Sequence, residues 1–172
     1  AASRLAAEAV ARGAAETAPG VPEHGSGWTD DMFLGTVVAA RALDAAGVAP
    51  LAIGFVNAHG TATHSNDATE SRSILQSLGP AAARIPVCAS KSYFGHTLGA
   101  SGALESVAPL LSLETGMLPP NLNLERPDPE CGIHLVGEKG LAINAELAMK
   151  TSFGFGGGNG VLIFRRSVNG AG

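Results

Sequence analysis

The sequence has 172 residues and a formal net charge of −4, which argues against nucleic-acid binding because a phosphate backbone needs a basic patch. Charged residues make up only 15% of the chain, against roughly 25% in ordinary soluble domains, and this low share suggests a large covered interface. No apolar run approaches the roughly 20 residues that a membrane-spanning helix needs, and the Ala-rich start lacks the order of a signal peptide. We therefore predict a cytoplasmic protein that binds neither membranes nor nucleic acids.

The first half of the chain is predicted to hold three helices and one buried strand. The expected order is helix 3–17, helix 29–47, strand 51–56 and helix 67–78. The first of these helices is Ala-rich, with Ser3 available as its N-cap. Asp67 and Glu70 are placed like a capping box at the start of the third.

The second half is predicted to combine short strands with one long helix. The expected elements are strand 85–89, helix 99–115, and strands 133–136, 148–153 and 161–164. The long helix is apolar nearly all round, which predicts that it is buried, and Pro109 should kink it. Helices between apolar strands indicate an α/β layered fold, and the closing pair of strands indicates antiparallel pairing at one side.

Two histidines follow strand-like runs, at the place where sites form in α/β sheets. His59 and His96 each stand beside a glycine and before a hydroxyl residue, although a structural role stays open for either one alone. Lys91 precedes His96 by five residues. Glu105 falls on the apolar long helix, where a lone carboxylate is costly unless it is paired. An ion pair between Lys91 and Glu105 would satisfy both side chains.

Other kinds of site are disfavoured by spacing. Cys88 and Cys131 have neither metal-ligand spacing nor enough company for a disulfide framework. Cys88 lies in a strand-like run, which favours a buried, inert thiol over a nucleophile. The glycines at 156–158 lack a following Lys-Ser or Lys-Thr pair, and the histidines lack a third ligand at metal spacing. We therefore predict neither a nucleotide site nor a metal site.

Three motifs occur in order along the chain. They are His59-Gly60-Thr61-Ala62-Thr63 with Glu70, Lys91-Ser92 and Gly95-His96 with Glu105, and Ser152-Phe153-Gly154-Phe155-Gly156-Gly157 with Asn159-Gly160. Together they resemble the C-terminal half of β-ketoacyl-acyl carrier protein synthases of type II fatty-acid synthesis and of polyketide ketosynthase domains. The resemblance covers about residues 21–166. We therefore predict a ketosynthase C-terminal domain over 21–172, preceded by an unassigned N-terminal helical extension over 1–20.

The resemblance implies a thiolase-like half, with a five-stranded mixed sheet flanked by helices. Family members condense an acyl group with malonyl-acyl carrier protein, release carbon dioxide and usually work as dimers. Their nucleophilic cysteine comes from the first half of the fold. The expected partners are therefore a cysteine-bearing N-terminal half, an acyl carrier protein, and the acyl and malonyl thioesters on its phosphopantetheine. No other cofactor is expected, and the assembly is expected to be a homo- or heterodimer.

The resemblance also implies the catalytic residues. His59 and His96 would be uncharged N–H donors that stabilise the enolate oxygen left by decarboxylation. A desolvated pocket would keep them uncharged. Lys91 and Glu105 would orient His96 and set its electrostatics.

The remaining implied residues bind substrate. Thr61 and Thr63 resemble the hydroxyls that bind the pantetheine arm, and Phe155 resembles the gate to the acyl pocket. Phe153 and Gly156 belong to the same motif. Phe155 could instead be a core aromatic residue in a glycine turn.

Two other functions remain open. The chain could resemble chain-length factors, which keep the fold without catalysis, although the presence of His59, Lys91 and His96 favours an enzyme. A thiolase relative without decarboxylation is less favoured, because such proteins typically pair one histidine with a second cysteine. The sequence decides neither between fatty-acid and polyketide synthesis nor between a fragment and a split subunit.

Overall fold

The computed structural model describes residues 7–14, 28–154 and 158–167. The helices are α1 (Trp28–Ala46), α2 (His64–Leu78), α3 (Lys91–Phe94) and α4 (Ser101–Thr115), with 3-10 turns at Pro50–Ala52, Gly79–Arg84 and Leu98–Ala100. The strands are β1 (Ala7–Ala14), β2 (Phe55–Ala58), β3 (Pro86–Ala89), β4 (Met117–Leu118), β5 (His134–Leu135), β6 (Leu141–Ala142), β7 (Leu147–Ser152) and β8 (Gly160–Arg166). In this part of the chain, no helix is both long and apolar enough to cross a membrane.

The main sheet has the strand order β1-β8-β7-β2-β3-β5. β8 runs antiparallel to both of its neighbours, whereas β7, β2, β3 and β5 are mutually parallel. Five of the strands have four residues or more, and β5 adds a two-residue edge. A separate antiparallel pair joins β4 to β6. The predicted α/β fold with a mixed sheet and flanking helices is therefore confirmed.

Alternation along the central strands divides the core between the two sheet faces. One face packs against α1 and α2 through a cluster that includes Val56, Met149, Ile163, Val38, Leu43 and Ile74. The other face packs against α4 through a cluster that includes Phe55, Ala148, Phe164, Cys88 and Leu113. Because β2 lies in the middle of the sheet, all four of its residues are buried. The loop that follows β2 therefore begins at a buried residue whose position is fixed by the packing on both faces of the sheet.

The predicted helix over residues 3–17 is wrong for the part that the structure describes. Ala7–Ala14 is a strand that pairs with β8, with a bulge between Ala9 and Ala11. Alanine has a high helix propensity, but an isolated helix of this length is marginal in water, and pairing with the edge of β8 outweighs it. The N-terminal segment therefore extends the main sheet, and the division of the chain at residue 20 stays a prediction.

The prediction that α4 is buried on all sides is wrong within the described residues. Its inner side carries Glu105 and Leu113, which are buried against the sheet. Its outer side carries Leu104, Val107 and Leu111, which are 44–48% exposed. An apolar pattern predicts that a helix face is buried, but it does not identify the element or partner that buries it. The helix thus presents an open apolar face, which we call the outer α4 face.

Candidate functional site

The candidate site lies where β2, β3 and β7 end. β2 and β3 are parallel neighbours, so the segments that follow them leave the same edge of the sheet. His59 follows β2 directly, and His96 follows α3 after β3. Their ring centroids are 5.5 Å apart, with the rings nearly perpendicular. The ring of Phe153, just after β7, lies 5.9 Å from that of His59. The structure thus brings together three of the predicted site residues.

A buried carboxylate fixes the backbone at His59. Glu70 accepts hydrogen bonds from the backbone N–H groups of His59 (2.8 Å) and Gly60 (2.9 Å). The hydroxyl of Thr151 on β7 donates to the same carboxylate at 2.6 Å. The predicted capping box is wrong, because α2 begins at His64 and Glu70 therefore lies in its second turn. Instead of capping its own helix, Glu70 joins α2 to β7 and to the loop that carries His59.

Lys91 holds the ring of His59 in one tautomer. Its ammonium group contacts the Oε1 atom of Glu105 at 2.5 Å, so the predicted ion pair forms. The same nitrogen lies 2.5 Å from the backbone oxygen of His59 and 3.1 Å from its Nδ1 atom. Because an ammonium group only donates, Nδ1 is the acceptor and the proton of the neutral ring resides on Nε2. His59 therefore presents an N–H donor at Nε2.

His59 is uncharged at neutral pH. Burial is the largest cause that lowers its pKa, and the positive charges of Lys91 and Lys150 lower it further. Glu105 acts in the opposite direction, but the net effect brings the pKa of His59 to about 4. A protonated ring would also place an N–H donor at Nδ1 against the ammonium group of Lys91. The geometry and the local charge thus favour the same neutral tautomer.

His96 is held by groups other than those predicted. Its Nδ1 atom accepts a hydrogen bond from the backbone N–H of Leu98 at 3.2 Å and lies 3.0 Å from the hydroxyl of Ser101. Because Nδ1 is an acceptor, the neutral ring again carries its proton on Nε2. The expected orientation of His96 by Lys91 and Glu105 is wrong, since Lys91 contacts His59. Gly95, with a φ of +77°, turns the chain between α3 and His96.

A second buried lysine completes the cluster. Lys150 on β7 is 1% exposed, and its ammonium group lies 2.7 Å from the Oε2 atom of Glu105. It also donates to the backbone oxygen of Thr151. Burial acts to raise the pKa of Glu105, but the two ammonium groups outweigh it and hold that pKa below its ordinary value. Sequence reasoning missed Lys150, although a lysine inside the predicted strand 148–153 was an available signal.

The predicted substrate-binding residues are only partly described by the structure. Thr61 and Thr63 lie in the loop between β2 and α2, and their hydroxyl oxygens are 2.9 Å apart. Thr63 is the N-cap residue of α2, yet its side chain makes no capping hydrogen bond. Phe155 and Gly156 fall outside the described residues. The two threonine hydroxyls thus stand together on the loop that begins at His59.

Neither cysteine has the properties of an activated nucleophile. Cys88 is buried on β3, and burial raises the pKa of its thiol to about 11. Cys131 is also buried, and burial raises its pKa as well. Both side chains are therefore thiols rather than thiolates at neutral pH. Among the residues that the structure describes, no group of three or more His, Cys, Asp or Glu side chains could hold a metal ion.

Gly60→Ala is expected to destabilise the fold by about 1–3 kcal/mol. Gly60 has a φ of +47°, and an added Cβ atom would lie 2.5 Å from the Cβ of Ala89 on β3. Gly99→Ala is the matched control, because nothing lies within 4 Å of the corresponding Cβ position. Urea unfolding measures both variants. Equal unfolding midpoints would contradict the tight turn after His59.

Residues 9–125 match the family described as Beta-ketoacyl synthase, C-terminal domain. A 3-oxoacyl-acyl-carrier-protein synthase 2 from Synechocystis sp. is 44% identical over 127 residues, which are 74% of this chain and 30% of that protein. The chain therefore spans about a third of the length of this relative.

Two solved structures resemble the fold. A type II polyketide ketosynthase, in complex with its acyl-carrier protein and bound to a hexaketide, has a TM-score of 0.85 at 31% identity, over 94% of this chain and 39% of that chain. The ishigamide ketosynthase/chain length factor has a TM-score of 0.71 at 36% identity, over 77% of this chain and 34% of that chain.

Proposed function

Because this chain belongs to the β-ketoacyl synthase family, we propose that it is the C-terminal half of a decarboxylating condensing enzyme, a 3-oxoacyl-acyl carrier protein synthase. In this proposal, His59 and His96 stabilise the enolate formed from a malonyl thioester. The observation that carries the proposal is the pair of adjacent rings, each with Nδ1 as an acceptor. Each neutral ring therefore has an Nε2–H donor for a developing oxyanion.

The proposed chemistry begins with loss of carbon dioxide from the malonyl thioester. The bond between the α carbon and the carboxylate breaks, and its electron pair moves towards the thioester oxygen as an enolate forms. Two neutral N–H donors stabilise this oxygen without losing a proton. The α carbon of the enolate then attacks the carbonyl of an acyl group held on a cysteine. The tetrahedral intermediate collapses, releasing the cysteine thiolate and leaving a 3-oxoacyl product on the carrier.

The proposal needs uncharged imidazoles, and the surroundings of His59 support this state. A pKa of about 4 leaves His59 neutral over the whole physiological range. The contact of Lys91 with Nδ1 of His59 keeps the ring proton of His59 on Nε2. Glu70 fixes the backbone from which that ring extends. Preorganised donors of this kind are effective because they need no rearrangement in the transition state.

The substrate-binding part of the proposal assigns the pantetheine arm to the loop after β2. Thr61 and Thr63 present neighbouring hydroxyl groups two and four residues after His59, and both groups are proposed to bind the pantetheine arm of the thioester. Phe153 packs against the ring of His59 and is proposed to limit the access of water to that ring. Phe155 and Gly156 are proposed to border the acyl pocket, on the strength of their motif alone.

We further propose that the cysteine nucleophile comes from an N-terminal half that this sequence does not include, on the same chain or on a partner. Two observations support this part. The chain spans 30% of the length of the Synechocystis relative, and both of its own cysteines are buried with raised pKa values. The outer α4 face, with Leu104, Val107 and Leu111, offers an apolar surface for the other half.

An acyl carrier protein is the proposed donor of the substrates. The type II polyketide ketosynthase that shares this fold was solved with its own acyl-carrier protein, and we extend that partnership to this chain. A dimeric assembly and a cytoplasmic location are part of the same proposal. No cofactor beyond the carrier's phosphopantetheine is required for the bond changes described.

A non-catalytic, chain-length-factor-like role is the second candidate, because one similar structure is a ketosynthase/chain length factor. Such a partner shapes an acyl pocket and has no use for an oxyanion site. The buried contacts that hold His59 in a neutral tautomer favour the catalytic role over this one.

The proposed function is tested by combining this chain with its cysteine-bearing half and malonyl-acyl carrier protein, and then measuring carbon dioxide release. We expect release, and a 3-oxoacyl product when an acyl donor is present, only when both halves are present. Each half alone is the control. Equal release from the cysteine-bearing half alone would contradict the catalytic role and support the chain-length-factor role.

A further inference from the structure

The cluster around Glu105 contains more positive charge than the ion pair needs. Glu105 is fully buried, and one ammonium group would balance its carboxylate. Two are present, Lys91 on one carboxylate oxygen and Lys150 on the other. A second buried ammonium group is costly, because it loses its hydration and must be compensated by protein groups. The pairing of Glu105 with Lys91 therefore does not account for Lys150.

Counting donors gives Lys150 a specific task. The ammonium group of Lys91 has three protons and three acceptors within reach: the Oε1 atom of Glu105, the backbone oxygen of His59 and its Nδ1 atom. Lys91 therefore has no proton left for Oε2 of Glu105. Lys150 supplies that contact. If Lys150 were absent, the carboxylate would compete with His59 for the protons of Lys91.

Strand pairing fixes the backbone of Lys150, and a hydrogen bond fixes its ammonium group. Lys150 lies on β7 directly across from Asn57 of β2, two residues before His59. Its ammonium group donates to the backbone oxygen of Thr151, whose hydroxyl binds Glu70. Lys150 thus connects the strand that supports His59 to the helix that carries Glu105.

We propose that Lys150 is a positioning residue of the decarboxylation site, which holds Glu105 in place for Lys91 and adds a second buried positive charge beside His59. The proposal rests on the proposed function for its catalytic consequence. Its electrostatic part concerns the chain itself and is measurable without substrate. Lys150 acts through Glu105 and Lys91 and has no role in contacting the reacting atoms.

Five titratable side chains from the elements around His59 act on its surroundings. Glu70 lies on α2, Lys91 on α3, Glu105 on α4 and Lys150 on β7, and His96 lies in the loop after α3. Burial lowers the pKa of His59 most, the positive charges of Lys91 and Lys150 lower it further, and the neighbouring His96 also lowers it, whereas Glu105 raises it. Removing the charge of Lys150 therefore shifts the pKa of His59 upward.

The test uses Lys150→Met and Lys150→Gln, which both remove the charge, while the amide of the second can still donate to Glu105. Lys139→Met, at an exposed lysine, is the control. NMR of 15N-labelled histidines in the full chain reports the protonation and tautomer of His59. We expect its pKa to rise by about one unit in either charge-removing variant, the range for a charge a few ångströms away, and to stay unchanged in the control.

A double variant separates charge from structure. Lys150→Met with Glu105→Gln removes one charge of each sign, so the cluster keeps the single net positive charge that it has now. The pKa of His59 should then return towards about 4. A purely structural role for Lys150 predicts no such return. If Lys150→Met does not fold, Lys150→Gln and the double variant decide the question by the same comparison.

The catalytic consequence is read from the pH profile of carbon dioxide release in the assembled enzyme. As the pH is lowered, protonation of His59 removes activity. In the charge-removing variants this loss should begin at a pH about one unit higher than in the unchanged protein. A His59 pKa that does not respond to Lys150 would overturn the proposal and leave the proposed function intact. If the pKa responds but no form of the assembly releases carbon dioxide, the proposed function fails and the placement of Lys150 stands.

Discussion

Replacement of both His59 and His96 by alanine is expected to reduce carbon dioxide release from malonyl-acyl carrier protein by at least 10³-fold, since one such donor typically contributes about 10²–10³ in rate. The two rings lie 5.5 Å apart and each carries its proton on Nε2, so the double variant removes both proposed oxyanion donors. The loss should appear in kcat rather than in KM, because the interaction forms fully only as charge develops. The measurement is initial rate in the assembled enzyme.

Single variants refine this prediction. His96→Gln retains an N–H donor near the position of Nε2 and should keep more activity than His96→Ala. His134→Ala is the matched control, because His134 lies at the edge strand β5 with its Nδ1 near the backbone oxygen of Arg84, and it should leave the rate unchanged. A double His59→Ala/His96→Ala variant that decarboxylates as fast as the control would exclude the enolate role.

The sequence predicts those parts of this site that follow from the chemistry of a single residue and its neighbours along the chain. A lone carboxylate at position 105 of an apolar helix requires a buried cation, and Lys91 is its partner in the structure. Histidines after strand-like runs indicate an edge of the sheet where loops meet, and His59 and His96 are in contact there. In both cases the chemistry of one residue restricts what its neighbour can be.

The parts that sequence reasoning missed depend on long-range contacts. Glu70 fits a helix-capping pattern, yet its carboxylate binds the backbone after β2 and the hydroxyl of Thr151, 81 residues away. Residues 7–14 have the composition of a helix, but β8 provides an edge to which they pair. Neither the partners of Glu70 nor the strand at residues 7–14 can be predicted from a short stretch of neighbouring residues. Tertiary pairing therefore decides where local propensity is ambiguous.

Lys91 shows how a correct pair can lead to a wrong assignment. The family resemblance implies that it orients His96, whereas the Nδ1 atom of His96 lies 3.0 Å from the hydroxyl of Ser101. The ammonium group instead reaches back across the sheet edge to His59, which is 32 residues earlier in the chain. The need of Glu105 for a buried cation thus identified the ion pair, but not which histidine its lysine holds.

Glu105→Leu is expected to lower the free energy of unfolding by about 3–5 kcal/mol, the usual cost of removing one partner from a buried ion pair. The variant leaves the ammonium groups of Lys91 and Lys150 buried without their counterion. Glu130→Gln is the matched control, because its contact with Arg72 is 3.9 Å long and half exposed, and an exposed pair contributes at most about 1 kcal/mol. Urea unfolding at neutral pH measures both variants.

The pH dependence of this variant gives a second, independent check. In the unchanged protein, the lowered pKa of Glu105 stabilises the fold above the pKa of the unfolded chain, and this stability is lost as the pH falls through the lower folded value. Burial lowers the pKa of Lys150 and Glu105 acts to raise it, so without Glu105 this lysine binds its proton more weakly in the folded state than in the unfolded state. The stability of Glu105→Leu should therefore rise with increasing pH above neutrality, as the unpaired Lys150 releases its proton.

A triple variant then separates folding from catalysis. Lys91→Met, Glu105→Leu and Lys150→Met together replace the charged cluster by apolar side chains of similar size, and such replacements are often neutral or stabilising. We expect the triple variant to recover most of the stability that Glu105→Leu loses. It should nevertheless remain impaired in decarboxylation, because His59 then lacks the donor that fixes its tautomer. If the triple variant recovers both stability and decarboxylation, the charged cluster serves the fold alone. If it recovers stability but not decarboxylation, the charges of the cluster are needed for the proposed reaction.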